Sequence, residues 1–110
     1  MKTQIVTGTG SITAKTADLV VHRFVGFDGA KCAAGAKALG VVEADTAVDR
    51  QAPYNFSGIL LVEAAAAIAA DTDVDSDADG KAVTHVAGVV NGHTLDAAAA
   101  AGDIIRILRV

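Results

Sequence analysis

Residues 57–71, SGILLVEAAAAIAAD, decide the fold class. The opening SGILLVE is short, carries branched apolar side chains and contains a glycine near its start, the pattern of a strand. The alanine run that follows, Ala64 to Ala70, has strong intrinsic helix propensity. It is too short to hold a helix on its own, and Glu63 and Asp71 bound it. The expectation is a strand followed by a one-turn helix or a turn. Alanines 97–101, opened by Asp96 and closed by Gly102-Asp103, read the same way.

The same pattern recurs on both sides of this stretch. DLVVHRFVGF (18–27), ALGVV (38–42), HVAGVV (85–90) and DIIRILRV (103–110) are short apolar runs bounded by glycine or polar residues, and they read as strands. The expected fold is therefore mainly β: a small single-domain β-barrel or β-sandwich with one or two short helical turns and an extended N-terminal arm. Residues 1–17, rich in Thr, Gly and Ser, form an N-terminal arm or an edge strand, since threonine favours extended backbone and glycine weakens strand packing. Residues 18–110 form the β-rich body. ALGVV and VAGVV lie about 48 residues apart, which divides the body into two pseudo-repeated halves, unless the similarity is chance in alanine-rich sequence.

Composition bounds the function. A chain of 110 residues suits one domain. It is 52% hydrophobic but only 4% aromatic, with no tryptophan, so its core must come from Val, Ile, Leu and Ala. Such a core buries modest apolar area per residue, and association with other chains would add to its stability. Net charge is −4 with scattered Lys and Arg, which argues against a nucleic-acid partner. No run approaches the ~18 apolar residues of a membrane span, and MKTQIVTGTG lacks the apolar centre of a secretory leader. The single cysteine, Cys32, rules out an intrachain disulfide.

The most conspicuous chemical feature is DTDVDSDADGK (71–81), with five alternating aspartates. Counted from Asp75, Asp77, Asp79 and Gly80 fill the third, fifth and sixth positions of a calcium loop. The twelfth, which needs a bidentate glutamate, is Val86. GFDGAK (26–31) has a similar Asp-Gly turn. We therefore read the run as a solvated acidic turn, with Asp accepting backbone N–H bonds and glycine at positive φ. A calcium-binding module using residues 71–79 is the alternative. Cys32 could act as a nucleophile with His22, His85 or His93 as base, but no local signature supports this, and a small apolar filler is the simpler reading. Asn91-Gly92 is a hairpin signal that makes His93 an exposed residue at a strand start. Tyr54 and Phe56 alternate beside Pro53, either as core residues or as a contact patch. Nothing here points to an enzyme.

Taken in order, ITAKTADLVVHRFVGFDGAKCAAGAKALGVVEADTA (12–47), SGILLVEAAAAIAADTDVDSDADGKAV (57–83) and NGHTLDAAAAAGDIIRIL (91–108) resemble the small capsid cement, or head decoration, proteins of tailed phages. The resemblance implies a structural virion protein on the capsid exterior, made in the host cytoplasm, that binds the major capsid protein, often as a homotrimer, and stabilises the shell. It implies no cofactor and no catalytic residue, and the charge, the apolar run lengths and the incomplete calcium loop give the expectation of no nucleic acid, no membrane and no metal. The usual Ala-Gly-Asp turn is kept at 101–103, but Ala70-Asp71-Thr72 stands at the other position. An arm that docks as an extended strand would place Thr3, Ile5, Thr7, Thr9 and Ser11 on one face, and these are the expected capsid-binding residues.

Overall fold

The computed structural model describes residues 3–109. Met1 and Lys2, which open the expected arm, and Val110 lie outside the described residues. The strands are β1 (Ile5–Thr13), β2 (Phe24–Val25), β3 (Gly40–Val42), β4 (Gln51–Glu63), β5 (Asp73–Ser76), β6 (Ala82–Thr84), β7 (Gly92–Thr94) and β8 (Ile104–Arg109). All strand pairings are antiparallel and join one sheet in the order β2-β3-β4-β8-β7-β5-β6, with β1 paired to β4. A parallel bridge between Ala64 and Ala82 brings β6 back to the end of β4. The sheet thus curls into a nearly closed barrel, which removes most of its exposed edges.

The thirteen-residue β4 is the backbone of the fold. Tyr54 and Asn55 pair with both β1 and β3, and Gly58 and Ile59 pair with both β1 and β8. A strand residue has only two hydrogen-bonding edges, so β3 and β8 share one edge of β4 and β1 occupies the other. Alternation fixes the faces: Leu60 and Val62 of β4 and Ile105 and Ile107 of β8 are buried inward, whereas Arg106 and Leu108 point outward. The main core joins these to Phe24, Cys32, Val41, Val74 and several alanines. A second cluster, Ala14, Leu19, Val25, Val42 and Ala52, packs with Ile12, Leu39 and Tyr54.

The fold differs from the expected pattern in four places, each with a local cause. The expected short helical turns are replaced by bends and bridges, with no helix among the described residues. The two alanine runs pair with each other instead: Ile68 and Ala98 exchange backbone hydrogen bonds of 3.0 and 2.8 Å, and both bury their side chains in the core. Asp103 accepts the amides of Ala99 and Ala100 at 2.8 and 3.2 Å, holding that run in a turn. DLVVHRFVGF contributes only β2, because His22 turns the chain at φ 65°. HVAGVV is a loop with Val86 86% exposed, since the Asp75 carboxylate takes the amides of Val86 and Gly88 away from any strand ladder. Asn91-Gly92 closes no hairpin, because β7 pairs with β5 and β8 and not with β6. Asn91 is buried instead: its Oδ1 accepts from Ala38 N, and its Nδ2 donates to Ala36 O, both at 2.9 Å.

Candidate functional site

β1 is bonded along one edge only, to β4, among the described residues. Its composition suits that position. Ideal Cβ atoms on Gly8 and Gly10 would lie 2.5 Å from the Phe56 ring and 2.7 Å from the Tyr54 hydroxyl, so both aromatic rings of β4 lie across the glycines of β1. The rings supply the apolar cover that glycine lacks. The register shows two compensating irregularities: Thr7 is extra on β1 and Phe56 is extra on β4. Beyond them Thr7, Thr9 and Ser11 are exposed, while Gly8, Gly10 and Ile12 are half-buried. Ile5 is 60% exposed, and Thr3 is exposed just ahead of the strand. Thr7 Oγ1 and Ser57 Oγ lie 2.8 Å apart, and Thr9 Oγ1 donates to Tyr54 O at 3.1 Å. The start of the strand is held by Gln4, whose Nε2 donates to Glu43 Oε1 at 3.1 Å. Asn55 Nδ2 donates to the same carboxylate.

Beside β1 lies a groove of about 460 Å³ lined by Phe27, Leu39, Tyr54, Phe56, Ser57 and Arg109. The Tyr54 and Phe56 rings are 6.2 Å apart and tilted by 51°, a favourable aromatic arrangement. Tyr54 packs against the second core cluster, whereas Phe56 is 43% and Phe27 62% exposed. Arg109 points its guanidinium at carbonyl oxygens: Nε donates to Phe56 O and Nη1 to Asn91 O, both at 3.1 Å, and Nη2 donates to Ala38 O. Burial lowers its pKa from the ordinary guanidinium value.

The aspartate run is divided among separate partners. Asp71 and Asp73 bracket His93, with Oδ1 of each at 2.6 Å from Nε2 and 2.7 Å from Nδ1 respectively. These bonds, that to Asp73 first, raise the His93 pKa above the ordinary imidazole value. Asp75 is 5% exposed and lies 2.7 Å from His85 Nδ1, so it is a buried strand residue where a solvated turn was expected. The turn itself is confined to Asp77–Gly80: Asp77 Oδ1 accepts the amides of Asp79 and Lys81 at 2.9 and 2.8 Å, and Gly80 has φ 78°. The 26–31 turn is built alike, with Asp28 accepting Ala30 N at 3.1 Å and Gly29 at φ 82°. The two turns meet through a Lys31–Asp79 ion pair of 3.2 Å. Side chains that alternate along a strand and take different protein donors do not converge on one ion. Among the described residues no group of three or more His, Cys, Asp or Glu is placed to hold a metal.

Cys32 is buried in the main core, and desolvation raises its pKa, so the thiol stays protonated. His22, His85 and His93 lie on separate strands or turns and none bonds to it. Two residues that build this region gave no usable signal in the sequence. Arg109 looks like any charge alternating along a terminal strand, and Asn91 like a turn residue. Phe27, an aromatic inside a Gly-Phe-Asp-Gly turn, carried the one usable hint.

Comparison with known proteins adds the following. A family model described as "Phage cement protein" matches residues 5–109. None of the curated proteins matches the chain. Among solved structures, the N base of head fiber gp8.5 of bacteriophage phi29 is similar, with a TM-score of 0.74 over 94% of this chain and 95% of that one at 18% identity. At that identity the likeness is one of fold.

Proposed function

The chain belongs to the phage cement protein family, a capsid-associated structural protein of the virion and not an enzyme, and we propose that it attaches to the capsid exterior through the open edge of β1. The partner in this reading is the major capsid protein, which adds an extended segment to β1, and three copies of this chain assemble as a homotrimer at each site. Thr3, Ile5, Thr7, Thr9 and Ser11 are the proposed contact residues. The observation that carries the reading is a nine-residue strand bonded, among the described residues, on one edge only and kept outside an otherwise nearly closed barrel. An exposed strand edge is a template for further pairing, and main-chain bonds give affinity with few demands on side chains. Many such contacts repeated over a symmetric shell add through multivalency.

Lysine on an edge strand opposes strand addition. The double variant Ile5→Lys, Thr9→Lys is therefore the test, assayed by co-sedimentation with capsids that lack the protein. Binding is expected to weaken at least tenfold, about 1.4 kcal/mol, with an unchanged melting temperature. Binding equal to wild type would refute docking through β1. A homotrimer stable in solution would show a melting temperature that rises with protein concentration.

A further inference from the structure

The chain has four aromatic residues. Phe24 fills the core, and the other three, Phe27, Tyr54 and Phe56, line one groove. In a protein with so few large side chains, leaving Phe27 and Phe56 exposed forgoes core area that no other residue replaces. Exposed aromatics concentrated in a concave site are the usual anchors of a protein interface. Arg109 is the single charged residue of the lining. Three of its five N–H groups face backbone carbonyls, and among the described residues no carboxylate forms an ion pair with it. A partly buried guanidinium without a counter-charge gains most from an arriving carboxylate, which forms charge-assisted bonds with the two remaining N–H groups. The groove adjoins β1, because the Tyr54 and Phe56 rings that line it lie across Gly10 and Gly8.

We propose that this groove receives a segment of the capsid protein bearing an apolar side chain next to a carboxylate: the apolar group seats against Phe27 and Phe56, and the carboxylate reaches Arg109. The proposal rests on the reading that β1 docks on the capsid, and it assigns the second half of that interface. A strand added to β1 borders the Tyr54 and Phe56 rings that lie across Gly10 and Gly8, and the residues flanking that strand continue over β4 into the groove, where Arg109 lies on the far side of β4 from β1. The site recognises an acidic-apolar sequence, which the β1 edge by itself cannot select.

The test uses the full chain and capsids lacking it, with co-sedimentation isotherms and melting temperatures for five proteins: wild type, Phe27→Ser, Phe27→Leu, Ser57→Asp and Ser57→Asn. Phe27→Ser is expected to weaken binding at least tenfold and Phe27→Leu less than threefold. Ser57→Asp, which adds a carboxylate of the chain's own to the groove lining that holds Arg109, is expected to weaken binding at least tenfold. Ser57→Asn, of the same shape as the aspartate variant and neutral, should bind at least fivefold more tightly than Ser57→Asp. All five should melt within about two degrees of one another. Wild-type binding by both Phe27→Ser and Ser57→Asp overturns the proposal while leaving β1 docking intact. Equal loss in Ser57→Asp and Ser57→Asn removes the carboxylate from the account and overturns it as stated. Variants that lose self-association in sedimentation yet keep capsid affinity would show a second copy of this chain in the groove, and also overturn it. Failure of wild type to bind defeats the β1 reading and this one together.

Discussion

Asp75 holds its carboxylate beneath the 85–88 loop, where His85 Nδ1 and the amides of Val86 and Gly88 reach it at 2.7, 3.4 and 3.1 Å. Removing a buried acceptor leaves its donors without partners, so Asp75→Ala is predicted to cost about 1–3 kcal/mol in denaturant unfolding. Asp79→Ala, which breaks an exposed pair with Lys31, should fall within about 0.5 kcal/mol of wild type. Equal costs would show that Asp75 is solvated after all. His93 provides a pH test. Its hydrogen bonds to Asp73 and Asp71 raise its folded pKa above the ordinary value of 6.5. The stabilisation is therefore complete below 6.5 and fades as pH rises through the raised value. The exposed imidazole makes this contribution small. Proton resonances of His93 should titrate with a midpoint above 6.5 that drops in Asp73→Asn; a wild-type midpoint at or below 6.5 contradicts the pairing. From sequence these aspartates looked equivalent. Alternation along a strand says which carboxylates share a face, but not that a distant loop folds over Asp75 and leaves Asp79 in water.

Between strands the decisive contact is small against large. Gly10 faces Tyr54 directly across the β1–β4 ladder, and a Cβ there would lie 2.7–2.8 Å from the end of the phenol ring. The ring is half-buried against the second core cluster, so it cannot swing away freely. Gly10→Val is predicted to cost about 1–3 kcal/mol by overpacking, despite the higher strand propensity of valine. Ser11→Val, on the exposed side, should be within about 0.5 kcal/mol of wild type. Chemical denaturation of both variants checks this, and a stabilised Gly10→Val would remove the aromatic cover from the account. The second half of the central strand β4 was legible from SGILLVE and the terminal β8 from IIRILR, because both are short runs of branched apolar side chains. The alanine runs were not legible as bridge-forming loops. Propensity favours helix for alanine, and only the barrel core that accepts Ile68 and Ala98 overrides it. HVAGVV failed for the complementary reason: its β-branched residues suit a strand, but Asp75 claims its amides first.

Among the described residues the molecule is a barrel that satisfies nearly all its strand edges and leaves the long strand β1 open on one side. A mainly β fold, barrel or sandwich, was legible from the short branched apolar runs, with the barrel as one of those two alternatives. The groove beside β1 was not, since it assembles Phe27, Leu39, Tyr54 and Arg109 from four separate segments. No local pattern carries such a convergence. The central claim is that β1 gains a backbone partner when the protein sits on the capsid. Amide hydrogen exchange of the free and capsid-bound protein, read for residues 5–13, tests it most directly. Bonded on one edge, β1 should exchange part of its amides quickly in the free protein, and those same amides should slow at least tenfold on the capsid. Unchanged exchange across residues 5–13 in fully bound protein, with protection appearing elsewhere, would contradict the account.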